Sequence, residues 1–401
     1  MTHQKLLIEE VKKLKRKLCI VIGLAVFLSI GTTSMAQADV TSSTSTADTS
    51  SAVGNGSGVG FTLDDLLNNI EKNNIQIQMD DQKILLYQRQ FDRDKQNASL
   101  SDDKSSINYP NGQYAAVKIM IDVTPKLDEQ NIKNAQYARD DDLENIKFSV
   151  KGKYLDAVNC QRQINIINAQ IENIDKQIEQ VNAKIQQGQL TSDALQSLEV
   201  QKSNFIASLN TPKAQLQEYM LNIKQAVNMD LNIDITLQEV ENPFVVFDDS
   251  NIQSKIDQAV NNSYDIAKIT NNIAILKIQE DIYKQYSYND ATGEVSTGLQ
   301  IQQAENNIYT TQLQKKVDLW NDYYTLKNSE DSVNTEQIKV DNAEMNYNNA
   351  LAKVQAGVLT NVELDSYALA LESEKINLKN AQDNYMILSE KFQYNLTKDL
   401  K

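Results

Sequence analysis

Hydrophobic positions recur along this chain with a helical period. Ile164, Ile167, Ile171, Ile174, Ile178, Val181 and Ile185 step alternately by three and four residues, the 3.5-residue repeat of a coiled-coil seam. The stripe runs back through Ala157 and Cys160, which makes Cys160 a small core residue rather than a reactive thiol. Past Gly188 the pattern resumes at Leu195, Leu198, Phe205, Leu209, Leu216, Tyr219 and Ile223, with Pro212 placed to bend this second helix. Two antiparallel helices joined at a glycine turn are the expected result.

The same pattern occurs twice. Ala183-Lys184-Ile185-Gln186-Gln187-Gly188-Gln189-Leu190-Thr191 returns 169 residues later as Ala352-Lys353-Val354-Gln355-Ala356-Gly357-Val358-Leu359-Thr360. At that offset Ile164 falls on Val333, Ile171 on Val340, Ile174 on Ala343, Ile178 on Tyr347, Val181 on Ala350 and Ile185 on Val354, while Ile167 falls on Glu336. Beyond the glycine, Leu195 falls on Leu364 and Leu209 on Leu378. The period is far longer than the roughly 20 to 50 residues of a solenoid, so each copy is a large helical unit. The openings of the copies, Lys72-Asn73-Asn74-Ile75-Gln76-Ile77 and Asn261-Asn262-Ser263-Tyr264-Asp265-Ile266, align at an offset of 189, so the first copy holds about 20 extra residues.

Those extra residues lie where the helical period fails. Residues 99–125 contain Pro110, Asn111-Gly112 and Pro125, and Val117, Ile119, Ile121 and Val123 alternate with Lys118, Met120 and Asp122. Period two predicts a strand, half of a hairpin turned at Asn111-Gly112. In residues 288–301 of the second copy, Val295, Thr297, Leu299 and Ile301 alternate with Ser296, Gly298 and Gln300, which predicts a shorter one. Glu241-Asn242-Pro243-Phe244-Val245-Val246-Phe247 separates the copies, since Pro243 forbids a continuous helix. The expected fold is therefore mainly α, two tandem long helical hairpins with short β inserts, one repeat over 61–240 and the other over 247–400.

The N-terminus changes the setting. A basic run at 12–17, an apolar core of 13 residues from Leu18 to Ile30 and the exit Ala36-Gln37-Ala38 read as a signal peptide over 1–38. Residues 39–60, almost wholly Ser, Thr, Gly, Ala, Asp and Val, form a linker too polar to build a core. Structure is expected to begin at Phe61, with Thr62 as an N-cap and Asp64 and Asp65 in the first turn. The formal net charge of −15 becomes −19 once the signal is removed, which repels nucleic acid and anionic lipid surfaces. Removal also takes His3, the only histidine, and leaves Cys160 the only thiol, so neither a disulfide nor a histidine-based triad or metal site can form within the exported chain.

Taken together these features resemble the TolC family of outer-membrane efflux proteins. The resemblance covers about residues 61–400 and is carried by Phe61-Thr62-Leu63-Asp64-Asp65-Leu66-Leu67 with Lys72-Asn73-Asn74, by the motifs around Gly188 and Gly357, and by Ala381-Gln382-Asp383-Asn384-Tyr385. It implies a homotrimer whose helices wind into a hollow tube, the outer conduit of a tripartite efflux or type I secretion system. It also implies that the glycine tips meet a periplasmic adaptor (membrane fusion) protein and an inner-membrane pump. In that family β inserts close as a barrel across the outer membrane. A crossing strand takes about 9–11 residues, and the two alternating runs here have seven each.

The tips supply the candidate functional residues. Gly188 and Gly357 provide left-handed bends, with Thr191 and Thr360 opening the returning helices. The family places an acid six positions after the tip glycine. Glu363 holds that place after Gly357, while Ala194 holds it after Gly188 with Asp193 one earlier, so Glu363 and Asp193 are the candidate pore-constriction acids. Lys184 and Lys353, four residues before the bends, are the nearest basic residues. Trp320, Tyr323 and Tyr324 read as packing residues, because Tyr323 falls on Tyr154 of the first copy. No phosphate loop, metal spacing or nucleophile motif appears, so neither enzymatic activity nor a cofactor is expected. The competing expectation is a coiled-coil envelope spacer or adhesive stalk without a channel.

Overall fold

The first structured turn shows how locally this chain specifies its helices. The Thr62 hydroxyl accepts from the backbone N–H of Asp65 at 3.1 Å, and the Asp65 carboxylate accepts from the backbone N–H of Thr62 at 3.0 Å, a closed capping box. In the computed structural model, residues 59–102, 113–240, 242–287 and 291–400 are described. The signal peptide, nearly all of the linker, Pro110 and the Asn111-Gly112 turn lie outside them. Strand β1 (Val59–Phe61) takes in the last two residues of the expected linker and pairs in parallel with β2 (Ile235–Leu237), Val59 opposite Ile235.

Among the described residues there are ten helices, in chain order α1 (Leu63–Asn73), α2 (Ile75–Asp102), α3 (Gln113–Asp122), α4 (Thr124–Gln186), α5 (Asp193–Ser208), α6 (Asn210–Ala226), α7 (Ile252–Asn261), α8 (Tyr264–Tyr286), α9 (Thr292–Gln355) and α10 (Asn361–Thr397). At 1.5 Å per residue α4 and α9 each run for about 95 Å. The break between α5 and α6 comes at Leu209, one turn ahead of Pro212, whose missing N–H and ring prevent a continuous helix there. Pro125 is tolerated because it occupies the first turn of α4.

Both expected β inserts are corrected by the structure. Val117 to Asp122 belong to helix α3, and Val295 to Ile301 to the first turns of α9. Ala115 and Val123 are buried, with Ile119 packed beside them, against Ile275, Ile278 and Ile282 of α8. Thr297, Ile301 and Ala304 are buried on α9 at the spacing i, i+4, i+7, whereas Val295 and Leu299 are exposed. The buried set follows a helical face and not alternate residues, so burial overrode the β-branched local preference. Gly293 closes this end, because a Cβ there would come within 2.6 Å of the Tyr283 ring.

Each repeat has its own core. Val150, Tyr154, Ile223 and Val227 pack with Leu66, Ile70 and Ile77 in the first. Leu319, Leu326, Phe392 and Leu396 pack with Ile256 and Val260 in the second. Val150 and Leu319, Ile223 and Phe392, and Val227 and Leu396 stand at the sequence offset of 169 and are buried in both members of each pair. Tyr154 is buried and ties the linkers down: its hydroxyl donates to the Gln238 carbonyl at 2.7 Å and accepts from the Gln238 N–H at 2.9 Å. Trp320 and Tyr323 pack against the second core, while Tyr324 is exposed. The seam Ile164 to Ile185 is buried or half-buried throughout, and Cys160 is a buried free thiol whose pKa burial pushes up.

The helices form a row. Over one half of the molecule α2 packs on α4, α4 on α8, and α8 on α9; over the other half α5 packs on α4, α4 on α10, and α10 on α9. The long helices α4 and α9 thus run through both halves and exchange partners between them.

Candidate functional site

The two hairpin tips are built from the same local rule and then diverge. Helix α4 ends at Gln186, Gly188 has φ +71°, the Gln189 N–H donates to the Lys184 carbonyl at 2.9 Å and the Gly188 N–H to the Ile185 carbonyl at 2.9 Å. This is a Schellman termination, which satisfies carbonyls that the helix end would leave unpaired. At the second tip Gly357 has φ +73°, with Val358 N–H on the Lys353 carbonyl at 2.8 Å and Gly357 N–H on the Val354 carbonyl at 2.9 Å. No atom lies within 4 Å of an added Cβ at either glycine. Gly357→Ala is therefore expected to cost only backbone strain, about 1–2 kcal/mol, read as a lower midpoint in urea unfolding.

The returning helices differ. At the second tip the Thr360 hydroxyl accepts from the Glu363 N–H at 3.3 Å, and Glu363 accepts from the Thr360 N–H at 2.8 Å. Bonding to the Thr360 N–H and then to its hydroxyl holds the Glu363 carboxyl below the usual carboxylate range, with a smaller pull from Lys184 of the other tip. At the first tip the residue in Glu363's place is Ala194, which cannot reach back, and α5 starts behind Ser192 without a side-chain cap. Asp193 lies exposed in the first turn of α5, where its charge suits the helix dipole. Thr191 is likewise exposed, and its carbonyl accepts from the Ala194 N–H at 3.3 Å. Ala194→Glu is expected to rebuild the missing box and raise stability by about 0.5 kcal/mol, and Thr360→Ala to lower it by about 1 kcal/mol; urea midpoints of the two variants check both.

The tips lie at one end of the molecule and are fastened together. Buried Asn173 of α4 donates to the Val362 carbonyl of α10 at 3.0 Å, and its side-chain oxygen accepts from the Ser366 hydroxyl at 2.9 Å. Gln177 donates to the same Asn173 oxygen at 2.7 Å and to Ser366 at 2.9 Å. Periodicity did not reveal this cluster, because Asn173 and Gln177 lie beside the seam positions Ile174 and Ile178. A polar residue adjoining a seam is the only signal the chain offers for it.

The geometry therefore places the two glycine bends, the capped Glu363 and the exposed Asp193 at one end of a bundle of long helices. No family model matches the chain, and neither does any curated protein sequence. Solved structures do match. CusC, whose structures follow transmembrane channel formation, is 12% identical with a TM-score of 0.58 over 83% of this chain and 91% of its own. The outer-membrane protein VceC of Vibrio cholerae is 10% identical with a TM-score of 0.56 over 84% and 95%. The outer-membrane channel CmeC of Campylobacter jejuni is 11% identical with a TM-score of 0.58 over 84% and 85%. The chain has the fold of the TolC-family outer-membrane efflux channels.

Proposed function

We propose that this chain is one protomer of a homotrimeric helical conduit for efflux or type I secretion, exported to the cell envelope. The observation that carries this reading is the open row of helices. Its outer members expose apolar stripes: on α9 all the exposed large apolar side chains, Val295, Leu299, Tyr309, Leu313, Val317, Tyr324, Ile338 and Met345, fall within a sector of about 80° along some 75 Å of helix. On the opposite edge Ile75, Met79, Leu86 and Leu100 of α2 fall within about 60°, with the less exposed Leu85 outside that sector, and α5 exposes Val200 and Ile206. Two unlike edges per protomer are what a closed ring of identical copies needs, since its contacts are heterologous. Copies joined α9 to α2 and α9 to α5 complete a tube.

The tube is a passive, water-filled path, and the energy for transport belongs to a separate pump. Its tip end meets a periplasmic adaptor and an inner-membrane pump, and opening requires the Asn173 and Ser366 cluster to part. Glu363 and Asp193 line the constriction and draw cations toward it. Capping does not remove the charge of Glu363, since its lowered pKa keeps it ionised. Among the described residues the strands are three residues each, and no helix is long and apolar enough to cross a membrane.

Conductance across a planar lipid bilayer tests the reading. Stepwise cation-selective currents are expected, and Glu363→Gln together with Asp193→Asn is expected to weaken selectivity. A charge at about 4 Å in water is worth about 1 kcal/mol, or roughly fivefold in local cation concentration. A monomer that never conducts would sink the conduit. It would turn attention to a coiled-coil envelope spacer or adhesive stalk.

A further inference from the structure

We propose that the groove between α4 and α8 is a binding site for a phosphate-bearing anion. It is a cavity of about 290 Å³ near the start of α4, toward the end of the molecule away from the tips. Lys126 and Lys133 stand one heptad apart on α4, and Lys268 faces them from α8. None of the three has an ion-pair partner among the described residues, although ion pairs are plentiful elsewhere on this acidic chain. Against these three ammonium groups the groove holds one carboxylate, Glu129. A local excess of positive charge in a concave site, on a chain whose formal net charge is −15, calls for an anion from outside and opposes locally the repulsion of anionic surfaces expected from the whole chain.

Two further features narrow its chemistry. The amide nitrogen of Gln130 donates to the Lys268 carbonyl at 3.0 Å, which leaves its buried side-chain oxygen without a partner. That oxygen accepts a hydrogen bond from a hydroxyl on the ligand, while the lysines donate charge-assisted hydrogen bonds to phosphate oxygens. Beyond the lysines the groove is floored by Ile275 and Ile278, which continue into the apolar cluster beneath α3. A phosphate carrying a hydroxylated, partly apolar substituent fills such a site better than a bare ion. Both α4 and α8 are inner members of the helix row, so copies that join at the α2 and α9 edges leave the groove open.

The test uses the full chain with two probes, inorganic phosphate and vesicles of phosphatidylglycerol, with phosphatidylcholine vesicles as the uncharged comparison. The expected result is retention on phosphatidylglycerol alone, reversed by added phosphate, and weakened about tenfold or more in the variant Lys126→Gln, Lys133→Gln, Lys268→Gln. Glu129→Gln is expected to tighten the same interaction, an effect that loss of folding cannot mimic. Binding of inorganic phosphate without vesicle retention assigns the site to a soluble phosphate compound; vesicle retention that phosphate competes away assigns it to a headgroup. Equal binding by the triple variant, or no response to either probe, overturns the proposal.

Discussion

Phe392→Ala is expected to cost about 3–5 kcal/mol, and Ile223→Ala about 2–5 kcal/mol, through lost burial and the cavities left behind. The two residues occupy the same place in the two repeats, at the offset of 169. Phe392 is 2% exposed and packs against Phe247 and Tyr323, with ring centroids 5.3 Å and 6.1 Å away. Ile223 is fully buried beneath α4 and α1. Neither site has the room to collapse that a surface position offers, so the losses are large relative to a total stability of about 5–15 kcal/mol. Equilibrium unfolding in urea measures each. Because the two cores are separate clusters, the double variant should equal the sum of the singles within about 0.5 kcal/mol. A marked departure from additivity would show that the repeats share one cooperative core.

Ile338→Glu combined with Met345→Glu should convert the proposed trimer to monomers while leaving the protomer folded. Both side chains are exposed within one chain, at 68% and 62%, so their replacement disturbs no protomer packing. Across a subunit contact each glutamate would be taken out of water without a partner. The penalty after relaxation is several kcal/mol per ion, and a trimer incurs it at all three contacts. Light scattering gives the mass, and circular dichroism the helix content. Trimeric mass in the variant would remove α9 from the interface, and a parent protein that is monomeric at micromolar concentration would defeat the ring altogether.

The misread inserts show where sequence patterning loses its power. Val117 to Val123 alternate over only seven residues, and in so short a run an apolar residue at every second place also satisfies i, i+4. Ala115, Ile119 and Val123 use that second reading because α8 offers Ile275, Ile278 and Ile282 in a matching row. The capped Glu363 illustrates a different limit. Its position after Gly357 was legible, and Thr360 three residues earlier is the mark of a capping box, yet the pull of Lys184 comes from a residue 179 places away in the chain. The lysine groove and the Asn173 cluster were illegible for the same reason, since each joins helices from different repeats.

By itself the sequence determined the helical hairpins, their duplication, the seams and the glycine tips. These depend on short-range physics: a 3.5-residue apolar period, a cap three residues long, and a left-handed φ that glycine adopts without strain. The tertiary structure alone decided which helices form the row, that the inserts are helical, and which lysines, carboxylates and amides meet across it. Those outcomes rest on contacts between residues far apart in the chain, where burial and desolvation outweigh local preference.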